Sequence, residues 1–271
     1  MKSRFILHTA LFLLLTSWLF LLPVSGADAQ EKETLPDLLA LKDKKAIDST
    51  TPLASLGLDD ANKPNGRIYR LRVSIPDSPP AFIKQMRQGM TLVIADQTGD
   101  GGYFCLYKGP YSEDWTNCDY LAVLFDAAGK AVWETSLDPF LSSPVYLEIQ
   151  DIRYADGKLY FNEACISYAE QVEGACSSLV CLDPVAQRVL WRTPNLVSNN
   201  VFILHGPLII CGYGFTQEAD FLYLVKSDTG EVISQTSLAT AHDYLAVRDN
   251  TLYATTYNQL YTFELPDLSG L

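Results

Sequence analysis

A chain of 271 residues with a formal net charge of -12 makes a poor partner for nucleic acid or an anionic membrane surface, because phosphate contacts need clustered Lys and Arg. Its 15 Tyr, with abundant Val and Leu, favour strands. Net charge bounds the partners, not the fold.

Lys2 and Arg4 open the chain with positive charge, and residues 5–22 are apolar apart from small polar residues and His8. Pro23 then leads into Ala27-Asp28-Ala29, an A-x-A site. Together these make a signal peptide over residues 1–29, with Gln30 as the first mature residue. The alternative is an uncleaved anchor, since the apolar run is nearly long enough to span. No Cys lies at the cleavage region, which argues against a lipid anchor. An exported protein, periplasmic or secreted, with no membrane span after cleavage is therefore expected. About 240 residues remain, compatible with one all-β domain.

Residues 30–66 read as a flexible arm. Within it 35–41 (LPDLLAL) is expected to start a brief helix, and 48–66 is a polar linker bearing Pro and Gly.

From Arg67 onward the chain reads as strand after strand. Four segments superpose as strand, tight turn, strand: 83–96, 149–163, 201–214 and 244–257. Their turns, Gln88-Gly89, Ala155-Asp156-Gly157, His205-Gly206-Pro207 and Asp249-Asn250, supply residues that accept positive φ. Call these strands A and B. A second hairpin follows each, C then D, written as LAVLFDAAGKAVWET at 121–135, LVCLDPVAQRVLWRT at 179–193 and LYLVKSDTGEVISQT at 222–236. Such a hairpin cannot bury both faces alone, so its recurrence implies a fold built by repetition. Four antiparallel strands per repeat is the signature of β-propeller blades.

The fourth repeat stops at its C strand, 259–265, without a D strand. Residues 67–75 (RIYRLRVSI) form an orphan strand ahead of the first repeat and are expected to pair with 259–265. The predicted fold is thus an all-β propeller over residues 67–271, with four blades closed by an N-terminal strand; the rival reading is an open β-sandwich or a partial solenoid. Closure of this kind removes an exposed sheet edge.

The run from Asp183 to Thr193, D-x-x-x-x-x-V-L-W-x-T, and the run from Asp126 to Trp133 resemble the repeat of the PQQ-like, quinoprotein-type β-propellers. Ser234 replaces the Trp in the third repeat. The resemblance implies a propeller, and it implies membership of the non-catalytic branch. The catalytic branch uses adjacent Cys over a quinone cofactor, and no vicinal Cys pair occurs here. No cofactor is expected.

All six Cys lie in the mature part, and an even count in an exported chain suggests disulfides. Cys105 and Cys118 flank the B–C loop of the first repeat, and Cys165 and Cys176 hold the same two places in the second. One disulfide across the mouth of each loop is expected, worth about 2–3 kcal/mol. Cys181 and Cys211 either pair between blades or stay buried thiols.

His205 sits in a turn and is read as solvent-exposed. His242 enters the fourth repeat, where it is read chiefly as structural and secondarily as a base. The run from Asp96 to Gly102 (DQTGDGG) has oxygen ligands at alternate positions, with Asp96 and Asp100 as candidate calcium ligands. It lacks the terminal Glu of an EF-hand, so a Gly-rich turn is the better reading.

The B–C loops are expected to carry Tyr107, Tyr111, Trp115, Tyr168, Tyr213 and Phe215 to one face, interleaved with Glu113, Asp114, Asp119, Glu170, Glu173 and Glu218. The D–A connections add Phe140, Tyr146, Asn195 and Asn199. Aromatics dominate binding hot spots, so this face suits a protein or peptide partner in the cell envelope. The alternative is an enzyme acting on a carbohydrate or small molecule at the central funnel through paired carboxylates. No nucleophile with its base is recognisable.

Overall fold

The middle strands of each repeat are apolar on both faces, which only sheets covered on both sides can satisfy. In the computed structural model, which describes residues 35–58, 71–143, 145–215 and 217–267, that demand is met by stacking. The strands in chain order are β1 (Ala40–Ala46), β2 (Met86–Arg87), β3 (Met90–Gln97), β4 (Tyr103–Tyr111), β5 (Cys118–Phe125), β6 (Ala131–Ser136), β7 (Leu147–Glu148), β8 (Ile152–Ala155) and β9 (Lys158–Cys165). They continue as β10 (Ser178–Asp183), β11 (Arg188–Arg192), β12 (Asn199–His205), β13 (Leu208–Tyr213), β14 (Asp220–Lys226), β15 (Val232–Leu238), β16 (His242–Arg248), β17 (Thr251–Thr256) and β18 (Gln259–Glu264).

Four antiparallel sheets result among the described residues. The first runs β2-β3-β4-β5-β6; the second runs β11-β10-β9, with β7 and β8 both paired to β9. The third runs β12-β13-β14-β15, and the fourth runs β16-β17-β18-β1. Side chains alternate between the two faces of a strand, so each middle strand feeds two cores. Phe104 and Leu106 of β4 join Leu159 and Phe161 of β9 in the core between sheets one and two. Tyr160 and Cys181 turn the other way, to meet Ile209 and Cys211 between sheets two and three. Leu208 and Ile210 pack with Leu252 and Phe263 between sheets three and four. No apolar cluster of the described residues is shared by sheets four and one. The far face of sheet one is covered by Ile83 and Phe82, and that of sheet four by Leu53 and Leu58.

The fourth sheet does borrow its outer strand from the N-terminal side, but not from 67–75. Its partner is β1, antiparallel to β18 from Ala40↔Glu264 to Ala46↔Gln259. The expected arm therefore contains a sheet strand, and the expected helix at 35–41 is absent. The cause is docking just upstream. Pro36 O accepts from Gln235 N (3.0 Å), Leu38 N donates to Ser234 Oγ (2.9 Å), and Leu39 is buried between sheets three and four. A one-turn helix is marginal alone, and the open edge of β18 offers the same residues a full ladder.

Residues 71–75 run elsewhere. Ser74 bridges Ile94 in parallel, Ala95 N donates to Ser74 O (2.7 Å), and Arg72 N donates to Gln150 O (2.8 Å). The segment thus lies between sheets one and two; residues 67–70 are outside the described residues, as are residues 1–29, the expected signal peptide. Among the described residues no helix is long and apolar enough to cross a membrane.

The first repeat is also offset from its expected register. The β2–β3 hairpin forms at Gln88-Gly89, with φ of 51° and 81°. However, β3 occupies the place of strand A, and β4 is strand B, with 98–102 as the turn between them. Tyr107, expected in the B–C loop, therefore lies in a core strand.

Candidate functional site

The connections from β4 to β5, β6 to β7, β9 to β10 and β13 to β14 meet at one end of the sheets. A chain of hydrogen bonds joins them. Thr116 O accepts from Tyr146 N (2.6 Å), Tyr146 O accepts from Ile166 N (3.0 Å), and Glu218 Oε1 accepts from Ala169 N (3.2 Å). Four aromatic side chains ride on this framework: Trp115, Tyr146, Tyr168 and Phe215.

Trp115 stands 69% exposed. Asp114 fixes its loop by accepting from Ser112 Oγ (2.6 Å) and from Thr116 Oγ1 (2.8 Å), bonds that hold its carboxyl below the usual range. The Trp115 ring lies 5.4 Å from that of Tyr111. The Tyr111 hydroxyl donates to Glu148 Oε2 (2.5 Å), while Lys108 Nζ sits 4.1 Å from its ring centroid. Trp115 and Tyr146 have φ of 59° and 63°, left-handed conformations that cost bulky residues about 1–3 kcal/mol each. Backbone strain that presents a large ring to solvent is not repaid by burial of that ring.

In the second loop Cys165 and Cys176 form a disulfide, with Cα atoms 5.3 Å apart. It clamps the short 3-10 turn at Ala169–Val172, beside which Tyr168 is exposed. Phe215 meets Tyr168 edge-on at 4.7 Å. Glu218 bonds the Tyr213 hydroxyl, and burial together with the Glu218 charge pushes Asp220 up to about 6.

Of the six loop aromatics expected on this face, two are not there. Tyr107 is fully buried in the outer core of sheet one, where burial pushes its hydroxyl up to about 12. Tyr213 is buried between sheets two and three and only its hydroxyl reaches the loops. Tyr111, Trp115, Tyr168 and Phe215 do reach the loop end, in two pairs, and Tyr146 joins them.

The expected disulfide between Cys105 and Cys118 does not form. Cys105 lies opposite Val123 and Cys118 opposite Tyr111, because strand B of the first repeat lies later in the chain than the repeat suggested; both are buried free thiols. Cys181 and Cys211 are likewise free and buried in one core. Asp96 and Asp100 are committed separately. Asp96 accepts from Arg72 Nη2 (2.7 Å) and Ser74 Oγ (2.7 Å), whereas Asp100 accepts from Thr98 Oγ1 (2.5 Å) and Gly102 N (3.2 Å). Among the described residues no group of three or more His, Cys, Asp or Glu side chains is disposed to hold a metal ion.

Beneath the loops runs a buried polar seam that the sequence reading missed. Arg72, 1% exposed, pairs with Asp151, itself fully buried, through Nε (2.8 Å). Burial alone would lower the Arg72 guanidinium, but the charges of Asp151 and Asp96 outweigh it and hold it above its ordinary range. Asp151 also accepts from Arg153 Nη2 (2.8 Å) and Phe202 N (3.1 Å). Asn162 Oδ1 accepts from Gln150 N and Asp151 N, and its Nδ2 donates to Asn200 O (2.7 Å). Asn200 Nδ2 reaches His242 O (3.0 Å), and the His242 ring lies 2.8 Å through Nε2 from Val201 O. His242 is fully buried, which lowers it to about 4. Gly212 makes room for it: a Cβ there would lie 2.7 Å from Nδ1. The seam stitches all four sheets by side chain and backbone together.

A signal for the seam was present. The segments IQDIR at 149–153, SNNVF at 198–202 and AHDYL at 241–245 each place a polar pair at or just before a strand start. At the far end of the seam a hollow of about 310 Å³ is lined by Asp96, Thr98, Phe104, Arg153, Tyr154 and Phe202 among others. Asp96 is its one lining carboxylate.

No protein-family model matches the chain, and no curated protein is similar to it at a significant level. Among solved structures it is similar to the WD40 β-propeller domain of Doa1, at 12% identity and a TM-score of 0.43, over 64% of this chain and 51% of that one. A chain of the mitotic checkpoint complex is similar at 8% identity and a TM-score of 0.40, over 67% of this chain and 60% of that one. BamB from Moraxella catarrhalis is similar at 13% identity and a TM-score of 0.28, over 66% and 71%. The chain thus spans between half and three-fifths of the first two.

Proposed function

We propose that the four sheets are blades of a β-propeller, the fourth completed by β1, and that the exported chain is a non-catalytic scaffold. Its loop end binds a protein or peptide. The observation that carries this reading is the exposure of Trp115, Tyr146 and Tyr168 on loops tied to one another by backbone hydrogen bonds. Exposed rings on a rigid framework lose little entropy on binding and serve as anchors. A pair of working carboxylates, which the enzyme alternative needs, finds less support. Asp151 is fully buried and its oxygens are taken by Arg72, Arg153 and backbone N–H groups.

The test is capture of envelope proteins by the parent and by Trp115→Ala/Tyr168→Ala, with both confirmed to unfold at the same urea concentration. Loss of every captured partner in the double variant supports the loop end. Unchanged capture moves the site elsewhere.

A further inference from the structure

The two ends of the sheet stack differ in sign. The loop-end connections, residues 109–119, 137–149, 166–177, 193–198, 214–220, 239–241 and 257–258, hold nine Asp and Glu and no Lys, Arg or His, although Lys108 and Arg192 reach into them from the adjoining strands, onto Tyr111 and Phe140 O. The hairpin turns at the opposite end, residues 97–103, 125–131, 155–158, 183–188, 205–208, 226–232 and 248–251, hold seven Asp and Glu against five Lys and Arg. The loop end therefore carries the larger excess of carboxylates. Each principal ring has exposed carboxylates beside it: Glu113 and Asp114 next to Trp115, and Glu170 and Glu173 next to Tyr168.

One arrangement on this face already displays the matching chemistry. Lys108 Nζ donates to the Tyr111 hydroxyl (2.9 Å) and sits 4.1 Å from its ring centroid, and Tyr111 in turn packs on Trp115. A cation is drawn to an aromatic face by the ring quadrupole, and surrounding carboxylates add to that attraction. Single-signed surface charge also raises the local concentration of an oppositely charged partner.

We propose that the loop end recognises a basic polypeptide segment, which lays Lys or Arg side chains against Trp115 and Tyr168 between the flanking carboxylates. This rests on the loop-end reading above and adds to it the sign and class of the partner. An acidic or neutral segment would meet repulsion or no steering at the same rings.

The experiment uses the full chain and three fluorescein-labelled 12-residue peptides that share two Leu and one Trp. Their remaining positions are Lys and Arg, Ser and Gly, or Glu and Asp, and binding is followed by fluorescence anisotropy at 50 and 300 mM NaCl. The basic peptide is expected to bind at least tenfold more tightly than the neutral one at low salt, and to lose most of that margin at 300 mM, where exposed charges are screened. Glu113→Gln/Glu170→Gln/Glu173→Gln should weaken the basic peptide about tenfold and leave the neutral one unchanged. Absence of binding by the basic peptide overturns the inference. Equal or tighter binding of the acidic peptide, abolished by Trp115→Ala/Tyr168→Ala, also overturns it but leaves the loop-end reading standing. Basic-peptide binding that ignores the rim double variant overturns both.

Discussion

At the loop end Trp115 is 69% exposed and its neighbouring carboxylates face water, whereas a few residues deeper Arg72 is 1% exposed and Asp151 and His242 are sealed completely. Both regions are made of rings, carboxylates and cations, yet they spend them oppositely. In the seam each charge is met by a charge or a backbone group of another sheet, so its chemistry is used up in holding the sheets together. At the rim the rings pack only edge-on or in pairs, on backbone partly held at positive φ, and carboxylates outnumber the cations that flank them. A region whose interactions close on themselves supplies stability; one whose interactions are left open supplies recognition.

The sharpest way to separate the two is to break the seam. Arg72→Ala removes the buried cation that Asp96 and Asp151 share, leaving Asp151 with Arg153 alone, and should cost about 3–5 kcal/mol in urea denaturation, while the folded fraction keeps its affinity at the rim. A loss below about 1 kcal/mol would mean that the seam does not hold the sheets. Next in size is acid. His242 takes its proton near 6.5 when unfolded but only at about 4 in the native state. Between those values the unfolded chain holds more protons, so stability should fall as pH falls, by about 3 kcal/mol in all. Asp220 works in the other direction, because the native carboxyl is protonated from about 6 downward. His242→Asn should flatten the acid limb, and Asp220→Asn should steepen it.

The disulfide lies between these regions in position and effect. Cys165→Ser/Cys176→Ser should cost about 3 kcal/mol for a loop of this length, and it should loosen the Tyr168 loop. Alkylation of the denatured, unreduced chain should label four Cys; labelling of only two would restore the second bridge. The smallest expected change in stability is at the rim itself. Trp115→Ala should shift the unfolding free energy by no more than about 0.5 kcal/mol, yet weaken partner binding by at least about 1–2 kcal/mol.

What could be read in advance follows the same division. Strand placement was legible in repeats two to four because alternation and Gly- or Asn-bearing turns are local properties, and β8 to β18 fall close to the expected segments. The need for a borrowed outer strand was legible too, from the missing partner of β18. Which residues supply it was not, because the choice depends on the docking of 36–39 against β15, a contact nearly 200 residues away in sequence. The Tyr107 and Cys105 placements failed for one reason: the β2–β3 hairpin imitates an A–B pair and shifts the first repeat by a strand. The seam escaped because its residues come as short polar groups in separate repeats and meet only when the sheets stack.

The central claim is that the partner touches the loop end and not the turns. Hydrogen–deuterium exchange of the full chain, free and saturated with the basic peptide, tests it directly. Protection should appear at residues 112–117, 145–147, 166–175 and 215–220 and be absent at 98–102, 156–157 and 206–207. Protection confined to those turns, with the loops unchanged, would contradict it.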